Sequence, residues 1–152
     1  KWLSEKTGQR YRVPSEAEWE FAAKGGKIDL AVGEGVGEPG FQYSGSNYLE
    51  NVGWNRGNSG SKTHPVGEKK ANDLGLHDLS GNVYEWCKDA WHKNYNNAPA
   101  DGSAWEGNKE SVRVLRGGSW YNLPEYCRVA YRNSCNPNSR YDYIGFRVVR
   151  DL

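Results

Sequence analysis

The chain has 152 residues, among them seven Trp, ten Tyr, nineteen Gly and no Met. That length suits one domain, and 36% apolar with 26% charged residues implies a modest core that large aromatic rings must help to fill. Twenty basic against nineteen acidic residues, with no basic block, argue against nucleic acid held by broad electrostatics, and no run approaches the roughly 20 apolar residues of a membrane span.

In chain order, Lys1-Trp2-Leu3 opens inside a helix that Gly8 ends, a residue suited to the left-handed C-terminal cap. A chain with no initiator Met that starts within a helix is expected to be a domain whose front has been removed. Residues 14–25 form the clearest predicted helix. Ser15 and Glu18 make a capping box, Trp19, Ala22 and Ala23 form an apolar stripe, and Gly25-Gly26 stops the helix. Residues 26–70 read as Gly-, Asn- and Ser-rich loop held by Phe41, Trp54 and Val66. A second loop over 92–110 lies between Trp91 and a strand at Val112-Arg113-Val114-Leu115. Gly145-Phe146-Arg147-Val148-Val149 closes the chain as an alternating strand.

Three cysteines, Cys87, Cys127 and Cys135, argue against a dense disulfide framework. His64, His77 and His92 have no paired metal-ligand spacing. Residues 121–144 stand apart in composition, holding five of the ten tyrosines, at 121, 126, 131, 141 and 143. Asn122, Asn133, Asn136, Asn138, Ser134 and Ser139 lie among them, with Leu123, Cys135, Asp142 and Ile144. Tyr gives large contact area at low entropic cost, and Ser and Asn give adaptable hydrogen bonds, as in an evolved paratope. A plain solvated loop is the competing reading. Between these positions, Trp120, Val129, Ala130 and Phe146 are expected to be buried scaffold.

Three blocks together resemble a known family. The first is Arg12-Val13-Pro14-Ser15-Glu16-Ala17-Glu18-Trp19-Glu20. The second runs Gly75-Leu76-His77-Asp78-Leu79-Ser80-Gly81-Asn82-Val83-Tyr84-Glu85-Trp86. The third is Arg116-Gly117-Gly118-Ser119-Trp120, followed by Gly145-Phe146-Arg147. Their order and spacing resemble the formylglycine-generating enzyme (sulfatase-modifying factor) domain family. The resemblance runs over residues 1–152 and implies the larger C-terminal part of that domain. It implies an α+β, loop-rich variant of the C-type lectin fold.

The resemblance also implies a calcium ion held by the side chains of Asp78 and Glu85 and the carbonyls of Gly81 and Val83. Loop carbonyls mixed with carboxylates suit this hard ion. From the residues alone, Asp78 and Gly81 could equally form a turn, with Glu85 paired to an arginine. No second calcium site is assigned. The founding activity of the family oxidises a substrate cysteine with copper and two enzyme cysteines, whose positions fall here at Asn122 and Cys127. Cu(I) prefers paired soft thiolates, so no copper is expected. Ser119 matches an active-site Ser of the family but is expected to cap a turn, and Cys127 to be a core thiol or a partner of Cys87.

The 121–144 stretch falls where the C-type lectin fold presents its ligand. It also resembles the tail of variable proteins of diversity-generating retroelements, in which AAC-type asparagine codons are randomised. Tyr, Ser, Asp, Cys, Ile and Leu are reachable from that codon by changing its first two bases. Lys, Gln, Trp and Met are not, and 121–144 contains none of them. The leading expectation is a non-catalytic, calcium-stabilised domain that binds a protein or other surface ligand through 121–144. The alternatives are a divergent oxidase or accessory modifying factor using Cys127 and Ser119, and a structural module of a larger protein.

Overall fold

Ser15 begins the best-formed element of the computed structural model, which describes residues 1–26, 40–108 and 111–151. Its hydroxyl accepts from the Glu18 N–H and its own N–H donates to the Glu18 carboxylate at 2.8 Å, the expected capping box. Helix α2 then runs Glu16–Ala23 and buries Trp19 and Ala23. The preceding helix α1, Trp2–Thr7, ends at left-handed Gly8 as read from the sequence. Between them lies β1, Tyr11–Arg12, and a third helix, α3, spans Leu49–Val52.

The remaining strands are β2 (Tyr84–Ala90), β3 (Arg113–Arg116), β4 (Arg132–Cys135), β5 (Ile144–Gly145) and β6 (Val149–Arg150). A four-stranded sheet has the order β4-β3-β2-β5, with β5 parallel to β2 and the other pairs antiparallel. β1 and β6 form a separate antiparallel pair that brings the two ends of the described chain together. A 3₁₀ turn over Pro124–Cys127 leads into β4.

The alternation of β2 sends Glu85, Cys87 and Asp89 toward α2, where Glu85 accepts from the Trp19 indole and Asp89 from the Glu16 N–H. On that side Trp19, Ala23, Leu79, Cys87, Val114 and Val129 form one core cluster, and Tyr43, Leu49, Val52 and Cys127 form a second. Behind β3 and β4 lies a buried ion network. Glu16 Oε1 and Oε2 accept from Arg132 at 2.6 and 2.7 Å. Arg116, fully buried, donates to Glu20 and to the carbonyls of Val129 and Tyr131.

Several sequence readings need correction. The loop anchors are Tyr43, Leu49 and Val52, since Phe41 and Val66 are exposed and Trp54 is half-buried. Residues 27–39 and 109–110 of the two expected loops lie outside the described residues. The closing strand is two short strands, because β5 pairs with β2 while β6 leaves to pair with β1. That change of partner turns Phe146 outward, to 70% exposure, and Ala130 is exposed as well. Neither is buried scaffold. Val129 is buried, and Trp120 is half-buried.

Candidate functional site

The β4 alternation sorts the tail. Val114, in the core, pairs with Ser134, and Arg132 reaches Glu16, so these two β4 residues face α2. Asn133 and Cys135 take the opposite face, paired with Leu115 and Arg113. Tyr84 lies on that face too, with its hydroxyl at the Asn133 side chain, and burial pushes its phenol up to about 12.

Around this outer face the tyrosines form two groups. Tyr121 stacks toward Tyr143 at 6.2 Å between ring centroids, and Tyr143 stacks on Tyr141 at 5.0 Å. Tyr126 meets Tyr131 edge to face at 5.1 Å. Tyr121, Tyr126 and Tyr141 are exposed, and Tyr131 and Tyr143 are half-buried. None of the five rings is core. Leu123 and Asp142 are exposed, and Ile144 is half-buried in β5. Asn136, Asn138 and Ser139 form the turn after β4, in which Asn136 accepts from the N–H groups of Asn138 and Ser139.

Asn122 is different. Its amide oxygen accepts the Ser119 hydroxyl at 2.7 Å and its carbonyl accepts from the Arg56 N–H, so it fastens the third block to the loop around Arg56. Tyr84 underlies this face as a core residue at 2% exposure, a placement not read from the sequence. Its strand alternation with Trp86 was the available signal, but the cross-strand partner was not.

The positions matching the oxidase are closed. Cys127 is fully buried, its thiol lies 3.9 and 3.8 Å from the carbonyl oxygens of Ser119 and Leu123, and burial pushes it up to about 12. A Cβ on Gly118, whose φ is +71°, would come within 2.6 Å of the Cys127 sulfur, so only glycine permits this turn. Ser119 is buried and spends its hydroxyl on Asn122. One high-pKa thiol beside an amide does not fit copper. Cys87, Cys127 and Cys135 are all unpaired, so Cys87 is not the partner of Cys127.

The calcium positions behave unequally. Gly81, with φ of +82°, brings its backbone so near Trp54 that a Cβ would lie 2.3 Å from the Trp54 carbonyl oxygen. Asp78 Oδ2 accepts the Gly67 N–H at 2.8 Å, while Oδ1 is buried without a hydrogen-bond partner, as a cation ligand could be. Val83 is half-buried. Glu85, however, gives both oxygens to Arg147, at 2.8 and 3.0 Å, and accepts the Trp19 indole N–H at 2.7 Å. This is the arginine pairing that the residues alone left open. As they stand, Glu85 is committed to Arg147 while Asp78 Oδ1 is open, so the four positions do not form a ready calcium cage.

A concavity of about 400 Å³ lies between α2 and the loop after β2, lined by Ala17, Phe21, Tyr95, Trp105 and Arg132 among others. His92 stacks on Trp105 there at 3.6 Å. Among the described residues no helix is long and apolar enough to cross a membrane.

Fold and surface together define a loop-rich α+β domain of the C-type lectin-like class, with an aromatic and amide-bearing outer face. The chain belongs to the sulfatase-modifying factor enzyme 1-like domain family, whose model matches residues 1–152. It is 38% identical to the serine/threonine-protein kinase Pkn1 of Chlamydia trachomatis serovar L2 over 93% of this chain and 21% of that protein. Among solved structures, Treponema denticola variable protein 1 is 41% identical with a TM-score of 0.74, over 92% of this chain and 47% of that one. PvdO from Pseudomonas aeruginosa is 42% identical with a TM-score of 0.81, over 99% and 56%. The chain thus spans a fifth to little more than half the length of these relatives.

Proposed function

We propose that this domain is a non-catalytic binding module whose ligand surface is the outer face of the sheet with the flanking tail. The observation that carries the reading is the sorting of residues 121–144: the tyrosines stay out of the core and Asn133 and Cys135 share the outer face, while Arg132 is held inward. Rings that pack on one another at the surface are partly preorganised, which lowers the entropic cost of binding. The ligand is a protein or another surface of comparable size. The likeness to a protein named as variable supports a narrower form, in which positions such as 121, 126, 131, 133, 135, 141 and 143 are diversified while the inward residues stay fixed.

The test is a display library in which those seven positions are randomised with AAC-derived codons in the otherwise unchanged chain. Most clones should remain folded by thermal melt, and selection on an immobilised model protein should return binders. A library that mostly fails to fold would make the face structural and leave a module without a binding role. The catalytic alternative is checked in parallel with a sulfatase-type cysteine peptide and copper. The expected result is no aldehyde product, and turnover would favour a divergent modifying enzyme.

A further inference from the structure

Glu85 is 5% exposed, and a buried carboxylate is costly unless a counter-charge and hydrogen bonds compensate it. Arg147 supplies both, with Nη2 at 2.8 Å from Oε1 and Nε at 3.0 Å from Oε2. The same Nη2 donates to the carbonyl of His77 at 2.8 Å, one residue before Asp78. One guanidinium therefore neutralises the acid at the start of β2 and ties it to the front of the loop over 78–83. We propose that Arg147 is the internal cation for Glu85 and the loop over 78–83, and that with this pair in place the chain holds the loop without calcium.

Three features support the assignment. Calcium needs six to eight oxygens at about 2.3–2.6 Å. Both Glu85 oxygens already face a guanidinium, and the Trp19 indole takes a further lone pair while tying the site to α2. An ion on either oxygen would meet the Arg147 positive charge at close range, so that side chain would have to leave. While Arg147 stays, the donors left are Asp78, whose Oδ2 is committed to the Gly67 N–H and whose Oδ1 is free, and loop carbonyls. A single carboxylate with carbonyls is a weak donor set. Finally, the Glu85–His77 link through Arg147 ties the strand to the residue just before the loop.

The test uses the whole chain in two parts. Thermal melts of the unaltered protein in chelator and in millimolar calcium should superimpose. Terbium, a luminescent calcium surrogate, should give no more tryptophan-sensitised emission than it gives with Glu85→Gln. A calcium-dependent rise in Tm that Glu85→Gln abolishes would overturn the proposal. In the second part, melts in chelator compare Arg147→Gln, Glu85→Gln and the double variant. Arg147→Gln should lower Tm more than Arg150→Gln, at an exposed residue of β6, and the double variant should lose less than the sum of the two singles. Additive losses would overturn the pairing. Should Arg147→Gln fail to fold, the melts of the unaltered protein still decide between guanidinium and ion.

Discussion

Replacing Glu16 by Ala removes the charge on which β4 is fastened to α2. The Glu16 side chain is 6% exposed and accepts from Arg132 Nε and Nη2, with the Tyr95 hydroxyl at 3.2 Å. Arg116 Nε also lies 3.2 Å from Oε1, near enough for an ion pair although not aligned as a hydrogen bond. The two arginines lose unequally. Arg116 keeps Glu20 and two carbonyls, whereas Arg132, with a side chain 14% exposed, keeps only the His92 carbonyl and its ring contacts with Trp91 and Tyr95. Breaking a buried pair from one side costs about 3–5 kcal/mol. At roughly 2–4 °C per kcal/mol for a domain of this size, Tm should fall by about 6–20 °C. Urea unfolding followed by tryptophan fluorescence measures the free energy directly. The double variant Glu16→Ala with Arg132→Met should recover most of the loss, because removing both partners leaves no buried charge unpaired. A single variant within about 1 kcal/mol of the unaltered protein, or a double variant as unstable as the single, would refute this account of the network.

Tyr121→Ser with Tyr141→Ser should lower stability by no more than about 1–3 kcal/mol, since both rings are largely exposed and chiefly their ring contacts are lost; unfolding of this variant at room temperature would sink the surface reading. Glu18 is held near 2, below its usual 4.5, first by its hydrogen bonds from Arg12 and then by the Ser15 N–H. Its contribution is therefore complete above about 4.5 and lost as pH falls toward 2, so Glu18→Gln should flatten the fall of Tm across that window, and an unchanged slope would count against it. Of the three thiols, Cys135 alone is not fully buried, so a disulfide-exchange reagent should titrate one thiol in the native protein and three in denaturant. Rapid native reaction of Cys127 would contradict its raised pKa and its burial.

Features legible in the sequence are those whose causes lie within a few residues. Ser15 and Glu18 spelled out a capping box because N-cap and N3 are three residues apart. Gly8 marked the end of α1 because its left-handed conformation suits glycine. The composition of 121–144 pointed to a surface, and the five tyrosines stay out of the core. Phe146 and Ala130 misled, because an isolated apolar residue reads as core when the partners of its segment are not known. Here β5 and β6 belong to different sheets, and the chain between them turns Phe146 to solvent.

The local signals therefore marked α1, α2 and the candidate surface, while α3, in a stretch read as loop, and the pairing of charges were left to the tertiary structure. Glu85 could be a metal ligand or half of an ion pair on spacing alone. The choice rests on Arg147, 62 residues away, which β5 and its parallel contact with β2 bring alongside. Likewise Glu16 meets Arg132 across 116 residues because β4 joins the sheet beside β3, over which α2 packs. A buried carboxylate paired with a cation is indifferent to where in the chain that cation comes from. Which one arrives is fixed by strand order and register, and these emerge only when the whole chain has packed.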